Sequence, residues 1–276
     1  MTWDARLSLS YGLEGRKTVL QHAHNGPLRI FKSLYPEGPS ICHNVIVHPP
    51  GGIVGGDRLD IDVQVGEGAH GLISTPGATR YYASDNEPGT QTVHLRLADT
   101  SRLEWLPLES LAYPGCLAVN RLAMDLQGSA EMIGWDILGL GLPQAGQPFN
   151  LGRFRQDIAW PGIWLEQATF DGQDNRLLDS PLGLAGRRSL GTLWLASGQP
   201  MTPSRRERML ESVRAALGSV VTDAELAATC PNPQLLVVRG MAPLVEPLMQ
   251  GMQLAWRALR EAAWGLTSAP PRIWQV

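Results

Sequence analysis

The side chains able to do chemistry in this sequence are few, and several gather around one glycine-rich segment. Residues 48–57, HPPGGIVGGD, hold two prolines and four glycines in ten positions. Pro49 and Pro50 stiffen the exit from a preceding strand. Gly51, Gly52, Gly55 and Gly56 admit backbone angles closed to other residues and let neighbouring backbone approach closely. Ile53 and Val54 anchor the loop to a core. Asp57 shares strand parity with Leu59 and Ile61, so it points inward, where a carboxylate is costly unless paired, hydrated or bound to a cation. The alternative is a loop cap, with Asp57 accepting hydrogen bonds from nearby amides. His22 and His24, two apart on a strand, face one side, either as a transition-metal pair or as ordinary surface histidines. Cys42 and His43 are adjacent and face opposite sides, which keeps them from sharing a metal, and Cys42 reads as a small buried hydrophobe.

Other chemistries find little footing. GEGAHG at 66–71 fits G-x-G-x-x-G, but it lies between two strand patterns rather than opening a helix, so a hairpin turn is expected there. The sequence has no G-x-x-x-x-G-K-[ST], HExxH, GxSxG or CxxC, the spacings that hold phosphates, zinc, a nucleophilic serine or a redox pair. All six histidines lie at or before His94, and no elbow presents a serine, which argues against a Ser-His-Asp hydrolase. The charges nearly cancel, 26 acidic against 23 basic for a net −3, without the basic footprint of a nucleic-acid binder. Three scattered cysteines, Cys42, Cys116 and Cys230, fit free thiols in a reducing cytosol. No apolar run approaches the roughly 20 residues of a membrane span, and the N-terminus lacks a signal-peptide layout. A cytoplasmic protein with no membrane and no nucleic-acid partner is expected.

The elements that must position these residues are mostly strands. Residues 59–65, LDIDVQV, alternate strictly, and 92–98, TVHLRLA, repeat the pattern. Further strands are expected at 5–11, 17–24, 28–34, 41–48, 69–74, 102–106, 117–126, 131–138, 163–170, 190–196 and 234–239, punctuated by Gly, Pro, Asn or Asp. The last third adds two helices. PSRRERMLESVRAALG, 203–218, has Thr202 as cap, Pro203 in its first turn, and Met209, Leu210, Val213 and Leu217 on one stripe. Residues 244–264 form the second. With no linker in sight, the expectation is one domain over 1–276, mainly β: an irregular, β-helical or solenoid-like stack of short strands with two α-helices in the C-terminal third. Nine tryptophans suit core packing and also interfaces, where Trp is enriched; both helices are interface candidates.

Several ordered segments resemble the UreD family of urease accessory proteins, called UreH in some systems. CHNVIVHPPGGIVGGDRLDIDV at 42–63 looks like the family signature. GPLRIFKSLYPEG at 26–38 is similar to its N-terminal strand block, GAHGLISTPGATRYYAS at 68–84 to its PGA-[ST]-K-[FY]-Y segment, with Arg80 where Lys is usual, and LEWLPLESLAYPG at 103–115 to LEWLPQ-[DE]. GWDILGLGLPQAGQPFNLG at 134–152 and the closing PRIWQV at 271–276 complete the set. Leu108 stands where Gln is usual and Leu142 where the Arg of LGRP is usual.

The resemblance implies a β-rich irregular fold with two helices and a role in assembling the nickel site of urease. It implies a non-catalytic scaffold that binds apo-urease and the accessory protein UreF, with the GTPase UreG joining through UreF. It also implies that Ni²⁺ passes transiently, with no tightly bound cofactor, through a water-filled conduit lined by carboxylates. Asp57, in IVGGD, and Glu166, in WLEQATF, match the motifs that carry such carboxylates. Carboxylates with water suit a route that must release its cargo, because imidazole and thiolate ligands bind nickel far more tightly. Glu166 shares parity with Trp164, Ala168 and Phe170 and can face inward, or it can serve a structural ion pair with Arg153 or Arg155. A competing reading is a free-standing metal-binding protein or metallohydrolase built on His43, His48 and Asp57.

Overall fold

Alternation in the sequence becomes burial in the fold. In the Arg58–Val65 strand, Leu59, Ile61, Val63 and Val65 are buried while Arg58 and Gln64 are exposed. Its parallel neighbours, Asp4–Glu14 and Gly89–Leu97, bury Leu7, Leu9 and Tyr11 on one side and Val93, Leu95 and Leu97 on the other. The computed structural model describes residues 2–219, 223–267 and 270–275. These strands belong to a seven-stranded sheet with the spatial order Trp164–Asp171, Arg153–Trp160, Leu117–Leu126, Gly89–Leu97, Arg58–Val65, Asp4–Glu14 and Lys17–Asn25. Its outermost pairings are antiparallel and the rest parallel.

A second sheet faces it. Its main path runs Glu225–Asn232, Leu235–Ala242, Ser189–Ser197, Glu131–Leu142, Arg102–Leu106, His70–Ser74, Ile41–Val47 and Arg29–Ile30, with Thr79–Tyr81, Ser110–Ala112 and Gln147–Pro148 paired off that path. From Ile41 to Leu142 the long strands alternate between the two sheets, each stacking in parallel on its predecessor. The result is the expected β-solenoid-like stack.

One apolar cluster fills the space between the sheets and draws on both, for example Leu9, Val63 and Leu122 against Cys42, Ile73 and Trp194. A second cluster lies on the far face of the second sheet, beneath the helices. Helix α1, Asn175–Leu178, is a single turn; α2 is Pro203–Gly218 and α3 is Val245–Trp264. Thr202 caps α2, accepting from the Arg205 amide at 3.3 Å, and Met209 and Val213 are its buried residues. Because the second sheet is covered on both faces, its central strand, EMIGWDILGLGL, is apolar almost throughout.

Helix α3 is held by a buried polar network. Glu104 accepts from Arg260 Nε at 3.0 Å and Trp256 Nε1 at 2.8 Å, and lies 3.1 Å from His70 Nε2. The Arg260 guanidinium reaches on to Glu37 at 2.7 and 2.9 Å, and Glu37 also meets His43 Nε2 at 2.8 Å. Burial opposes the charge on Glu37, but the bonds from His43 and Arg260 overcome it and hold the carboxyl at about 2.

The structure corrects some expectations. The segment 66–71 is not a hairpin: it joins the Arg58–Val65 and His70–Ser74 strands, which lie in different sheets, so it is a corner of the coil, closed by Ala69 N–H to the Gly66 carbonyl at 3.1 Å. The strand expected at 28–34 shrinks to Arg29–Ile30, with Leu34 bridging His43 alone. Six of the tryptophans, Trp105, Trp135, Trp160, Trp194, Trp256 and Trp264, are buried, and α3 turns nine residues into the core. Neither offers much free surface. No helix among the described residues is long and apolar enough to cross a membrane.

Candidate functional site

The apolar filling between the sheets is broken at one level. On the seven-stranded sheet, Gln91, Asn120 and Gln156 are register partners across three parallel strands. On the facing sheet, Asp136, Thr192 and Arg239 are register partners in the same way. The two rungs meet. Asn120 Nδ2 donates to Asp136 Oδ2 at 2.9 Å, and Gln91 Nε2 donates to Asn120 Oδ1 at 3.3 Å. The Gln156 side chain also bonds Asp136. Glu166, inward on the edge strand Trp164–Asp171, closes the row. Its Oε1 accepts from Thr192 Oγ1 at 2.6 Å, and its Oε2 accepts from Arg239 at 2.5 and 3.1 Å.

These groups form a polar seam with a cavity at each end. The first, about 440 Å³, is lined by Asp136, Gln156, Glu166, Thr192 and Arg239 over an apolar floor that includes Phe170. Its walls include the free edges of both sheets, Trp164–Asp171 and Glu225–Asn232. Arg239 stands at the solvent side, its side chain 62% exposed against 22% for Glu166. The second cavity, about 270 Å³, is lined by Gln91, Thr75, His48, Gly51 and Gly52. Gln91 thus touches one cavity while its partner Asn120 bonds a residue of the other.

Electrostatics differ along the row. Burial, and then the nearby Glu166 charge, push the Asp136 carboxyl up to about 7 against the bonds from Asn120 and Gln156. The Tyr81 phenol beside it, buried and without a hydrogen-bond partner among the described residues, is raised by burial and by the Asp136 charge. At the second cavity, burial holds the His48 imidazole below its ordinary value, with the Asp57 charge opposing, so the ring is neutral at pH 7.

The 48–57 loop is built as its residues suggest. The Gly51 amide donates to the His48 carbonyl at 2.9 Å, with Gly51 at φ 77°. A Cβ on Gly52 would come 2.1 Å from the Tyr82 ring, so only glycine fits there. Asp57 is inward and 1% exposed. Both its oxygens are bonded, to the Trp3 amide at 2.7 Å and the Val54 amide at 3.0 Å. That is the geometry of a loop cap.

Glu166 also faces inward, as its parity requires, but its cationic partner is Arg239. Arg153 pairs with Asp171, and Arg155 with Asp157. Asp57 and Glu166 are not brought together: Glu166 lines the first cavity, and Asp57 supports the loop beside the second. His43 lies on the helix side of its strand with Glu37, away from the His48 cavity. Cys42 is buried in the inter-sheet core. His22 and His24 stack with ring centroids 6.2 Å apart on an exposed edge. Among the described residues no three His, Cys, Asp or Glu side chains converge as a chelate. Leu108 and Leu142 line one groove, beside the start of α3.

The seam residues Gln91, Asn120, Asp136, Gln156 and Arg239 escape sequence reading. Asp136 follows Trp135 in the WDIL block, where the run is too apolar for alternation to mark which face it takes. In fact the far face of that strand lies under α3, so the face of Asp136 is the inter-sheet one.

The sequence is similar to known proteins along nearly its full length. The sequence model of the family described as UreD urease accessory protein matches residues 4–275. A protein named urease accessory protein UreD from Paracidovorax citrulli is 53% identical over 276 residues, covering all of both chains. Proteins of the same name from Albidiferax ferrireducens and Polaromonas naphthalenivorans are each 50% identical over 276 residues, again with complete coverage of both chains. A family match over nearly every residue, with half-identical relatives of the same length, settles membership: this chain belongs to the UreD family of urease accessory proteins.

Proposed function

We propose that this chain is a non-catalytic scaffold of urease maturation in the cytoplasm that binds apo-urease together with UreF and, through UreF, the GTPase UreG. Nickel, its cargo, crosses the chain through the polar seam. The observation that supports this reading is the seam itself, two hydrogen-bonded groups of side chains, Gln91–Asn120–Asp136 and Thr192–Glu166–Arg239, that share one cavity and reach a second across an otherwise apolar sandwich. Buried polar groups cost stability unless satisfied. A row of them with a carboxylate near neutrality fits passage better than packing.

Its chemistry suits a hydrated divalent ion in transit. Glu166 and Asp136 offer oxygen ligands, and Asn120, Gln156 and Thr192 offer partners for coordinated water. With no three-ligand chelate among the described residues, each stop is a single side chain plus water, which favours release. Glu166 is paired with the exposed Arg239, and an ion pair in contact with solvent is worth only about 0–1 kcal/mol. An arriving dication can therefore displace the guanidinium at little cost. Asp57 lies outside the cavities and supplies fixed negative charge near His48 while it shapes the loop.

The test is reconstitution with the cognate urease, UreF and UreG under limiting nickel. Asp136→Asn and Glu166→Gln should leave the UreF complex intact, as judged by pull-down, and lower the nickel content of urease. Full nickel loading by both variants would defeat the conduit reading.

A further inference from the structure

The two sheets end unevenly beside the first cavity. The edge strand Trp164–Asp171 stands over the Ser189–Ser197 and Leu235–Ala242 strands: the Trp164 and Trp194 rings lie 5.5 Å apart, and Glu166 bonds Thr192 and Arg239. The second sheet runs one strand further, to Glu225–Asn232. On that strand Leu226, Ala228 and Cys230 pack toward the helices, so Glu225, Ala227 and Thr229 take the inter-sheet face, and all three are exposed. Their register partners include Val237, which lies in the inter-sheet core. The first sheet is thus one strand short, and a ledge is left uncovered. Asn232 Nδ2 closes one end of it by donating to the Ile163 carbonyl at 3.3 Å, and the other end opens into the cavity of about 440 Å³.

The sheet edge above this ledge is bare. Edge strands are ordinarily protected by lysine, proline, a bulge or shortness. Lys17–Asn25 begins on a lysine and gives its Thr18 amide to the Pro39 carbonyl; Glu225–Asn232 carries Pro231 and a register shift; Arg29–Ile30 has 2 residues. Trp164–Asp171, WLEQATFD, has no lysine, arginine or proline. It pairs with Arg153–Trp160 without a register shift and turns Leu165 outward, 67% exposed. Its inward charge, Glu166, is neutralised by Arg239. That guanidinium spends Nε and Nη2 on Glu166, while its Nη1 has no partner among the described residues.

We propose that the ledge takes a short extended segment of a partner protein, which adds a strand to Trp164–Asp171, lays small or β-branched side chains over Ala227 and Thr229, and brings one carboxylate to Arg239. Main-chain bonds to the free edge supply affinity, and alternate side chains supply specificity. The exposed guanidinium, with a donor to spare, selects the acidic residue. A second copy of this chain does not fit. Its own second sheet also runs one strand beyond its first, so two copies joined at these edges would drive both Glu225–Asn232 strands into the same space. A segment with no sheet beneath it meets no such clash. Its carboxylate competes with Glu166 for Arg239, so docking frees Glu166 at the mouth of the cavity. That consequence rests on the conduit reading; the ledge itself does not.

Hydrogen exchange read by mass spectrometry tests this on the full chain, with UreF and apo-urease added separately and together. With the partner at about ten times its Kd, exchange within Trp164–Asp171 should slow roughly tenfold, because about a tenth of the chains stay free. Ala227→Trp fills an exposed position on the ledge and leaves the edge strand alone. Verified as folded by circular dichroism, it should weaken binding of the protecting partner by about tenfold, the scale of an overfilled contact. Arg239→Gln should weaken the same binding and flatten its salt dependence; an unchanged salt dependence would refute the carboxylate. Complexes that form in a pull-down yet leave exchange at Trp164–Asp171 unaltered would overturn the ledge, and this result needs no variant to fold. Protection that grows with the concentration of the chain alone would seat a second copy there and refute the partner strand. If the edge is protected while Glu166→Gln still loads urease fully, the docking strand stands and the conduit falls. If Glu166→Gln blocks loading while the edge stays unprotected, the conduit stands and the docking strand falls.

Discussion

Asp57 and Asp136 are both inward carboxylates, and their neighbours give them different work. Asp57 is saturated by two amides, so its removal is a structural injury. Asp57→Ala takes the partner from the Trp3 and Val54 N–H groups, which belong to part-exposed residues, and at about 0.5–1.5 kcal/mol for each hydrogen bond lost the chain should lose roughly 1–3 kcal/mol in a denaturant titration. Loss of under about 0.5 kcal/mol, the scale of an ordinary surface substitution, would refute the capping role. Asp136 has the opposite economy. Its carboxyl ionises near 3.8 in an unfolded chain and at about 7 in the fold. Between those values the native state keeps a proton that the unfolded chain has lost, so this group's contribution to stability falls as pH rises through the window. Asp136→Asn removes the dependence. The variant should melt with the parent near pH 4 and above it at pH 8, and calorimetry at the two pH values decides the matter. A parent that is the more stable at pH 8 would contradict the raised carboxyl.

At the scale of elements, what the sequence reveals depends on how many faces an element buries. Arg58–Val65 has one face in water, and its period is plain. Glu131–Leu142 has both faces covered, so its alternation blurs and Asp136 is lost within it. Arg153–Trp160 was hidden because Gln156 interrupts the inward set of Phe154, Ile158 and Trp160, and Glu225–Asn232 because an edge strand reading ELAATCPN has few β-branched residues. The long helices were legible from caps and stripes, but their anchoring was not. Arg260 meets Glu104 and Glu37 across 156 and 223 positions of sequence. That network carries a prediction of its own. Arg260 and Glu104 have no exposed side-chain surface, and breaking a buried pair by removing one partner costs about 3–5 kcal/mol. Arg260→Met should lose on that order, read by chemical denaturation. Glu104→Gln/Arg260→Met should cost less than the sum of the two single changes, and additive losses would show that the pair is not coupled.

At the scale of the molecule, the sandwich has a core large enough to need no polar row, yet it keeps one where the two sheets meet. Half of this was readable in advance. Glu166 could be placed inward by parity, whereas the residues that join it to the second cavity come from separate strands and converge only through register. A seam kept for stability and a seam kept for passage respond differently to being sealed. Removing one partner of a buried hydrogen bond leaves the other unpaired, but replacing both by apolar groups of similar shape is close to neutral and at times stabilising. Asn120→Leu/Asp136→Leu does this at the middle of the row, where Asn120 Nδ2 meets Asp136 Oδ2 at 2.9 Å, and the other two partners, Gln91 and Gln156, each line a cavity in which water can replace the lost bond. It also removes the carboxyl that burial holds near neutrality, a saving in the folded state at pH 8. The doubly substituted chain should therefore keep or raise its melting temperature, still pull down UreF, and leave urease short of nickel under limiting metal. Stability retained with delivery lost is the signature of a group kept for function at a cost to the fold. A double variant that unfolds would mark the seam as structural, and one that melts normally and loads urease fully would show that nickel takes another way.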